Sequence, residues 1–360
     1  MTTSHRQQIS GRGRAIRWLS IMLAFSLVMA ACSDDDGGDD AGGDDGSSEN
    51  GGSGGGDDNS APGDRTVKIA FSAPGADHGW LAAITTNAQA EADEWDDVEF
   101  VLLEGTNDSA AQVSQVEQLM AQDPDVLIIL PHEGSPPTPV AIEAMNAGIP
   151  VVNVDRAFDT SQAYRTWIGG DNYGIGVSAG HYFAEQLDCE GNVVEIQGLA
   201  GIQVTEERSE GFADTLEALC GDGIEIIAQQ PADFVPDKGL SVMETILQQH
   251  SDIDAVYTHD DDMAMGVISA IENADRADEM FLTGAGGSQE FMDLIRDGGL
   301  VQATFMYNPS MSASAVRIAR LIALGRGFSD LVEPEVPSYI VLPASTVTQD
   351  NVDDFYDLGF

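Results

Sequence analysis

Asp155 and Arg156 stand side by side where the apolar run 151–154 ends. A carboxylate next to a guanidinium can bracket vicinal hydroxyls with charge-assisted hydrogen bonds, or close a salt bridge that only stiffens its loop. A second group, Asp77-His78-Gly79-Trp80, follows the apolar run 67–72. The Trp80 indole suits the C–H face of a polyhydroxylated molecule, and Asp77 and His78 supply hydroxyl partners. The alternative is a core tryptophan, with Asp77 capping the helix behind it. Pro131-His132-Glu133 follows the run 126–130 in the same relation. His259 with Asp260, Asp261 and Asp262 has the residue types of a metal site. These four run consecutively off a strand into a helix N-terminus, where acids favour the dipole, and they lack a separated ligand set. No metal or cofactor is expected.

Catalytic signatures are missing. No Walker loop or zinc-helix motif occurs, and the two Gly-x-Ser-x-Gly matches, at 51–55 in the polar stretch and at 176–180 inside the expected helix 175–186, do not sit on the strand-to-helix turn of a nucleophile elbow. Gly284-Ala285-Gly286-Gly287 is glycine-rich but lacks the spacing and partner acid of a dinucleotide site. The chain reads as a binding protein, with a hydrolase built on His259 and its acidic neighbours as a distant rival.

The elements that carry these groups alternate. Strands are expected over 67–72, 99–103, 126–130, 151–154 and 163–168, interleaved with helices over 80–94, 109–121 and 140–147. A second series follows: strands 192–197, 224–229, 255–258, 281–284 and 301–307, with helices 175–186, 205–219, 238–250, 263–273 and 289–297. A helix over 310–324, a strand over 339–342 and a mostly polar tail complete the chain. The run 126–130 between Pro124 and Pro131 is continuous and apolar, as a strand buried on both faces should be. Such alternation predicts an α/β fold of two doubly wound parallel-sheet domains, breaking near Gly169-Gly170-Asp171. Ligands of such sheets sit at the carboxyl ends of the strands, where all the groups above fall.

The N-terminal stretch addresses the chain out of the cytoplasm. Arg6, Arg12, Arg14 and Arg17 precede an apolar run over 18–31 that is short for a membrane span. It ends Met29-Ala30-Ala31-Cys32, which resembles a bacterial lipobox with Cys32 as the acylated residue. The expected organisation is therefore a signal peptide over 1–31, then Cys32 at the head of a tether over 32–64. That tether is almost entirely Asp, Gly, Ser, Asn and Glu and is expected to be disordered. In all, 61 acidic residues face 15 basic ones, for a net charge of −46. This charge argues against nucleic acid and anionic headgroups as partners, leaving the lipid anchor as the only membrane contact. Cys189 and Cys220 remain in an oxidising compartment. One precedes the expected strand 192–197 and the other ends the helix after it, positions that share one sheet edge. A disulfide is expected, with two buried thiols as the alternative.

The segments Gly148-Ile149-Pro150-Val151-Val152-Asn153-Val154-Asp155-Arg156, Gly170-Asp171-Asn172, Val194-Glu195-Ile196-Gln197-Gly198, Arg208-Ser209-Glu210-Gly211-Phe212, Gln230-Pro231-Ala232-Asp233-Phe234 and Asp260-Asp261-Asp262-Met263-Ala264-Met265-Gly266 occur in this order. In order and spacing the chain resembles the type I periplasmic sugar-binding proteins, especially their ribose- and galactofuranose-binding branch, over 66–360. The resemblance implies a hinge of three crossovers, near Gly170, Asn308 and Glu335. The lobes would then be 65–170 with 308–334 and 171–307 with 335–360, closing on a ligand.

It also implies site roles for Asp155, Arg156, Asn172, Arg208 and Phe234, the last as a second aromatic wall. Asp260 stands where the ribose branch has asparagine, and Leu130 where it has a ligand-binding asparagine. Glu206 replaces an arginine, Gly286 an aspartate and Tyr307 a glutamine. Gln289 is expected to reach the space that Gly286 leaves. The implied function is capture of a sugar or related polyol by a monomer, for an ABC import permease. The alternative is a receptor that presents its ligand to a membrane sensor.

Overall fold

The computed structural model describes residues 65–105, 107–329, 331–332 and 335–360. The signal segment, Cys32 and the acidic stretch lie outside them. Two six-stranded sheets organise the fold. In the first, β1 (Val67–Ala73), β2 (Val98–Glu104), β3 (Val126–Ile129), β4 (Val151–Val154), β5 (Thr166–Gly170) and β11 (Tyr339–Leu342) run in the order β2-β1-β3-β4-β5-β11. All of these pairings are parallel. The second contains β6 (Gly191–Gln197), β7 (Ile224–Pro231), β8 (Ala255–Thr258), β9 (Phe281–Gly286), β10 (Val301–Met306) and β12 (Ser345–Thr348), ordered β7-β6-β8-β9-β10-β12. Only β12 there is antiparallel to its neighbour. The two lobes thus repeat one topology, whose order reverses between β1 and β3 and again between β6 and β8.

Alternation along the strands assigns the helices to faces. In β3, Val126 and Ile128 join the layer formed by α1 (Gly79–Asp93) and α9 (Met311–Ala323). Leu127 and Ile129 turn the other way, toward α2 (Ser109–Met120) and α3 (Thr138–Asn146). All four are buried, which is why the run shows no polar interruption. In the second lobe, α4 (Asn172–Gln186) and α5 (Gln203–Cys220) cover one face through Phe183, Phe212 and Tyr257. The other face carries α6 (Pro236–Gln249), α7 (Asp261–Asn273) and α8 (Gln289–Asp297).

The chain passes between lobes after Gly170, around Tyr307 to Ser310, and between Leu342 and Ser345. The last passage corrects the expected position at Glu335. β11 adds to the first sheet by pairing Tyr339 with Trp167 and Leu342 with Gly170, so 335–342 stay with the first lobe. The tail is not without structure: β12 and the short helix α10 (Val352–Phe355) return it to the second lobe. Cys189 and Cys220 are bridged, with 5.0 Å between their Cα atoms.

Candidate functional site

The carboxyl ends of both sheets face one cleft. His78, Trp80, Asp155 and Arg156 line its inner part from the first lobe, Val204, Arg208, Phe234, Asp260, Ala285 and Gly286 from the second, and Tyr307 from the hinge. The enclosed space is about 320 Å³, counting what opens to solvent.

On the first lobe, Asp155 adopts a left-handed conformation with φ 61° as the chain leaves β4. Asn153 fixes this turn from below: its side-chain amide donates to the Arg156 carbonyl (2.9 Å) and its oxygen accepts from Phe158 N (3.2 Å). Trp167 Nε1 donates to the Asp155 carbonyl at 3.0 Å. Arg156 lies 3.8 Å from the Asp155 carboxylate and donates to the His132 carbonyl at 2.6 Å. Burial pushes the Arg156 guanidinium down, opposed by Asp155 and Asp77.

Trp80 is buried and sits in the core layer, yet its indole also forms a cleft wall. Its Nε1 donates to the Tyr307 carbonyl at 2.7 Å, and the two rings stack. Asp77 does not cap α1. Its carboxylate holds His78 Nδ1 at 2.6 Å and accepts from Asn107, at the mouth of the cleft. Burial works against charge on Asp77, but the His78 hydrogen bond holds its carboxyl below the ordinary value.

On the second lobe, Phe234 reaches the cleft from a left-handed residue, φ 66°, next to Asp233 at φ 55°. A bulky side chain there is strained, and such strain clusters at binding sites. Its ring lies 5.9 Å from that of His78 and 5.9 Å from the Arg156 guanidinium, joining the lobes. Arg208 is held by Asn172 Oδ1 (3.0 Å) and by the carbonyl of His259. His259 is anchored in turn by Glu195 at 2.8 Å, with both side chains fully buried. Burial pushes this imidazole down against the pull of Glu195. Its Nε2 faces the Glu195 carboxylate, and its buried Nδ1 has no hydrogen-bond partner. No group of three or more His, Cys, Asp or Glu among the described residues is arranged to hold a metal ion.

Asp260 caps α7 by accepting from Met263 N at 2.8 Å, and lines the cleft. Burial raises its carboxyl to about 7. Asp261 turns into the lobe, accepting from Gly287 N (2.6 Å), Ser288 N (2.8 Å) and Thr304 Oγ1 (2.8 Å). Burial raises it to about 7 as well, against hydrogen bonds that favour its charge.

Four expected site residues do not line the cleft. Glu133 accepts from Ser109, outside both the inner space and its mouth. Asn172 stands behind the wall, supporting Arg208 and Tyr307. Glu206 is exposed, because Val204, Thr205, Arg208 and Phe212 form the buried face of α5 and Glu206 falls on the other side. Gln289 is drawn off by the C-terminal segment, its side chain donating to the Tyr356 carbonyl at 3.2 Å. Asp261 and Phe360 fill the space beside Gly286 instead, each within 3.6 Å of where a Cβ would stand. His132 lies at the mouth, with its side chain partly buried. Sequence reasoning missed Val204, whose small apolar side chain carries no chemical signal.

Two repeated doubly wound lobes with a cleft of aromatic, arginine and carboxylate side chains define a two-lobed ligand-binding protein. Residues 69–327 match the periplasmic binding protein domain family, and the chain belongs to it, in the type I sugar-binding branch that includes ribose- and galactofuranose-binding proteins. It is 34% identical over 212 residues to the ribose import binding protein of Bacillus subtilis, covering 59% of this chain and 67% of that one. An ABC transporter solute-binding protein of Mycobacterium smegmatis, solved with glycerol, superposes with a TM-score of 0.74 at 28% identity, covering 82% and 98%. The fructose-binding periplasmic domain of a hybrid two-component system gives a TM-score of 0.73 at 29% identity, covering 81% and 93%.

Proposed function

We propose that this chain is an extracytoplasmic solute-binding lipoprotein that captures a monosaccharide or related polyol and delivers it to an ABC import permease. One observation carries the reading: Asp155 and Arg156 face Arg208 and Asp260 across the cleft, between the walls of Trp80 and Phe234. Carboxylates and guanidinium groups make charge-assisted bonds to hydroxyls, and aromatic faces take the C–H surface. The ribose and glycerol in the descriptions of similar proteins support this class. The relatives are binding proteins, which favours a non-enzyme. The basic and apolar segments before Cys32 support export and anchoring, since two acyl chains on one cysteine hold firmly. No helix among the described residues is long and apolar enough to cross a membrane.

The test is thermal unfolding with a panel of sugars, polyols and amino acids. A ligand at a hundredfold its Kd stabilises by about 2.7 kcal/mol, so a polyol should raise the melting temperature and Arg156→Ala should abolish the rise. A panel in which no polyol stabilises the chain removes the reading. Retention of Cys32→Ser at the membrane would remove the anchor. The similarity to a two-component periplasmic domain supports a second reading, a receptor that hands its ligand to a membrane sensor. Adjacent permease and ATPase genes favour import; an adjacent sensor gene favours the receptor.

A further inference from the structure

Tyr307 occupies part of the cleft itself. The residue is 5% exposed and pinned at both ends of its backbone: its N–H donates to the Gly286 carbonyl at 2.9 Å, and its carbonyl accepts from the Trp80 indole at 2.7 Å. The ring stacks on Trp80 with 5.3 Å between centroids, and the Arg208 guanidinium lies 4.8 Å from its centre. Gly170 makes the room, since a Cβ there would come within 2.0 Å of the ring. The phenol donates to Asp155 Oδ1 and accepts from Gly170 N and Asn172 Nδ2, both at 3.4 Å. Burial and Asp155 push this phenol well up, so the proton stays on it.

These bonds use up much of what a ligand would otherwise meet. The one donor of Trp80 is spent on Tyr307, and one oxygen of Asp155 is spent on the phenol. What remains is the second Asp155 oxygen, the second Asp260 oxygen, His78 Nε2, and guanidinium nitrogens of Arg156 and Arg208. The remaining polar groups are few and close together, and the surrounding wall of Val204, Phe234 and Ala285 is apolar.

We propose that Tyr307 is a length gate that makes this cleft selective for short polyols of three or four carbons over pentoses and hexoses in ring form. The inference rests on the polyol reading above. A short chain places two adjacent hydroxyls on the remaining groups of Asp155 and Arg156, and a third on Asp260 or Arg208. A pyranose or furanose needs further depth toward the hinge. It can gain that only by breaking the bond from Tyr307 to Asp155 and lifting the ring from Trp80.

Calorimetric titration of the purified chain with glycerol, erythritol, ribose, galactose and myo-inositol tests this. Glycerol or erythritol should bind at least tenfold more tightly than any of the three cyclic compounds. Tyr307→Gln should improve binding of a ring sugar at least tenfold without a matching gain for erythritol. Tyr307→Phe, which keeps the ring and loses the hydroxyl, should keep the exclusion. A ring sugar that binds the unaltered chain as tightly as the short polyols overturns the gate and leaves the polyol reading standing. Absence of binding by every polyol overturns that reading and the gate with it. The unaltered chain alone decides between these outcomes, should Tyr307→Gln fail to fold.

Discussion

The carboxylate of Asp262, on the second lobe, accepts the backbone N–H of Trp80, on the first, at 3.3 Å. The helix it meets has no cap of its own: α1 starts after His78 with no side-chain cap and no acid in its first turn. Asp262 therefore supplies from across the cleft what the N-terminus lacks. Gly79 lets it approach, because a Cβ there would lie 3.0 Å from Asp262 Oδ1. Charge at a helix N-terminus contributes about 0.3–1 kcal/mol, and this contact exists only with the lobes together. Asp262→Ala should weaken ligand binding by roughly two- to fivefold and enlarge the ligand-free chain in small-angle scattering. Gly79→Ala should do the same by crowding. Unchanged affinity and dimensions in both would show that the contact does not bias closure.

Asp260 gives the fold a pH dependence of unusual sign for a carboxylate. Burial raises it to about 7 from an ordinary 3.8, with Asp262 and Asp261 pushing the same way and His78 opposing. The folded chain thus holds this proton more tightly than the unfolded chain does. The group's contribution to stability is complete below about pH 4 and is lost as pH rises to about 7. A shift of this size corresponds to roughly 4 kcal/mol at most. Asp260→Asn keeps an acceptor for Met263 N and removes the titration. Denaturant unfolding at pH 4.5, 6 and 8 should show the variant gaining on the unaltered chain as pH rises. Parallel curves would mean that Asp260 is ionised in the fold throughout.

Much of this architecture is legible in the sequence, for a physical reason. Residues that end parallel strands in a doubly wound sheet must face one edge, so Asp155 and Asp260 can be placed from the strand ends they follow, whereas Phe234 is placed only by the family resemblance. The strands β4, β8 and β11 have the bounds that their apolar runs predict. Cross-lobe and edge relations are not legible in that way. Nothing in Tyr339-Ile340-Val341-Leu342 says which sheet its backbone joins, and Ser345-Thr346-Val347-Thr348 carries one apolar residue to mark a strand. Asp261 reads as an ordinary helix-dipole acid, and only the folded chain turns it toward Gly287, Ser288 and Thr304. Gln289 and Glu206 are misread because adjacency to a site in sequence does not fix which way a helical side chain points.

Glu195 is a further buried carboxylate, in the middle of β6. Burial raises it, but hydrogen bonds from His259, Ser209 and Gln229 outweigh this and hold it below its ordinary value. All three partners act as donors, so a neutral amide with one acceptor oxygen cannot replace the carboxylate. Glu195→Gln should cost about 1–3 kcal/mol, the penalty of leaving a buried donor unmatched. Because the His259 carbonyl holds Arg208, ligand affinity should fall as well. Denaturant unfolding and titration of the same variant check both, and a change within 0.5 kcal/mol would show that the network relaxes.

The bridge between Cys189 and Cys220 separates stability from binding. It ties the loop after α4 to the end of α5, across 31 residues. Cys189 lies just before the start of β6, and Gly223, just before β7, packs on its carbonyl. These are the amino ends of the strands, and the cleft is at the carboxyl ends. Closing a loop of that length stabilises by about 4 kcal/mol in the chain-entropy view. The double variant Cys189→Ser, Cys220→Ser should therefore melt on the order of 5–10 °C lower. Its ligand affinity at 25 °C should stay within about twofold of the unaltered chain, since no cleft residue touches the bridge. Equal melting temperatures would indicate that the thiols are free in the protein as it folds. A loss of affinity as large as that of stability would instead place the end of α5, and through it Arg208, under the control of the bridge.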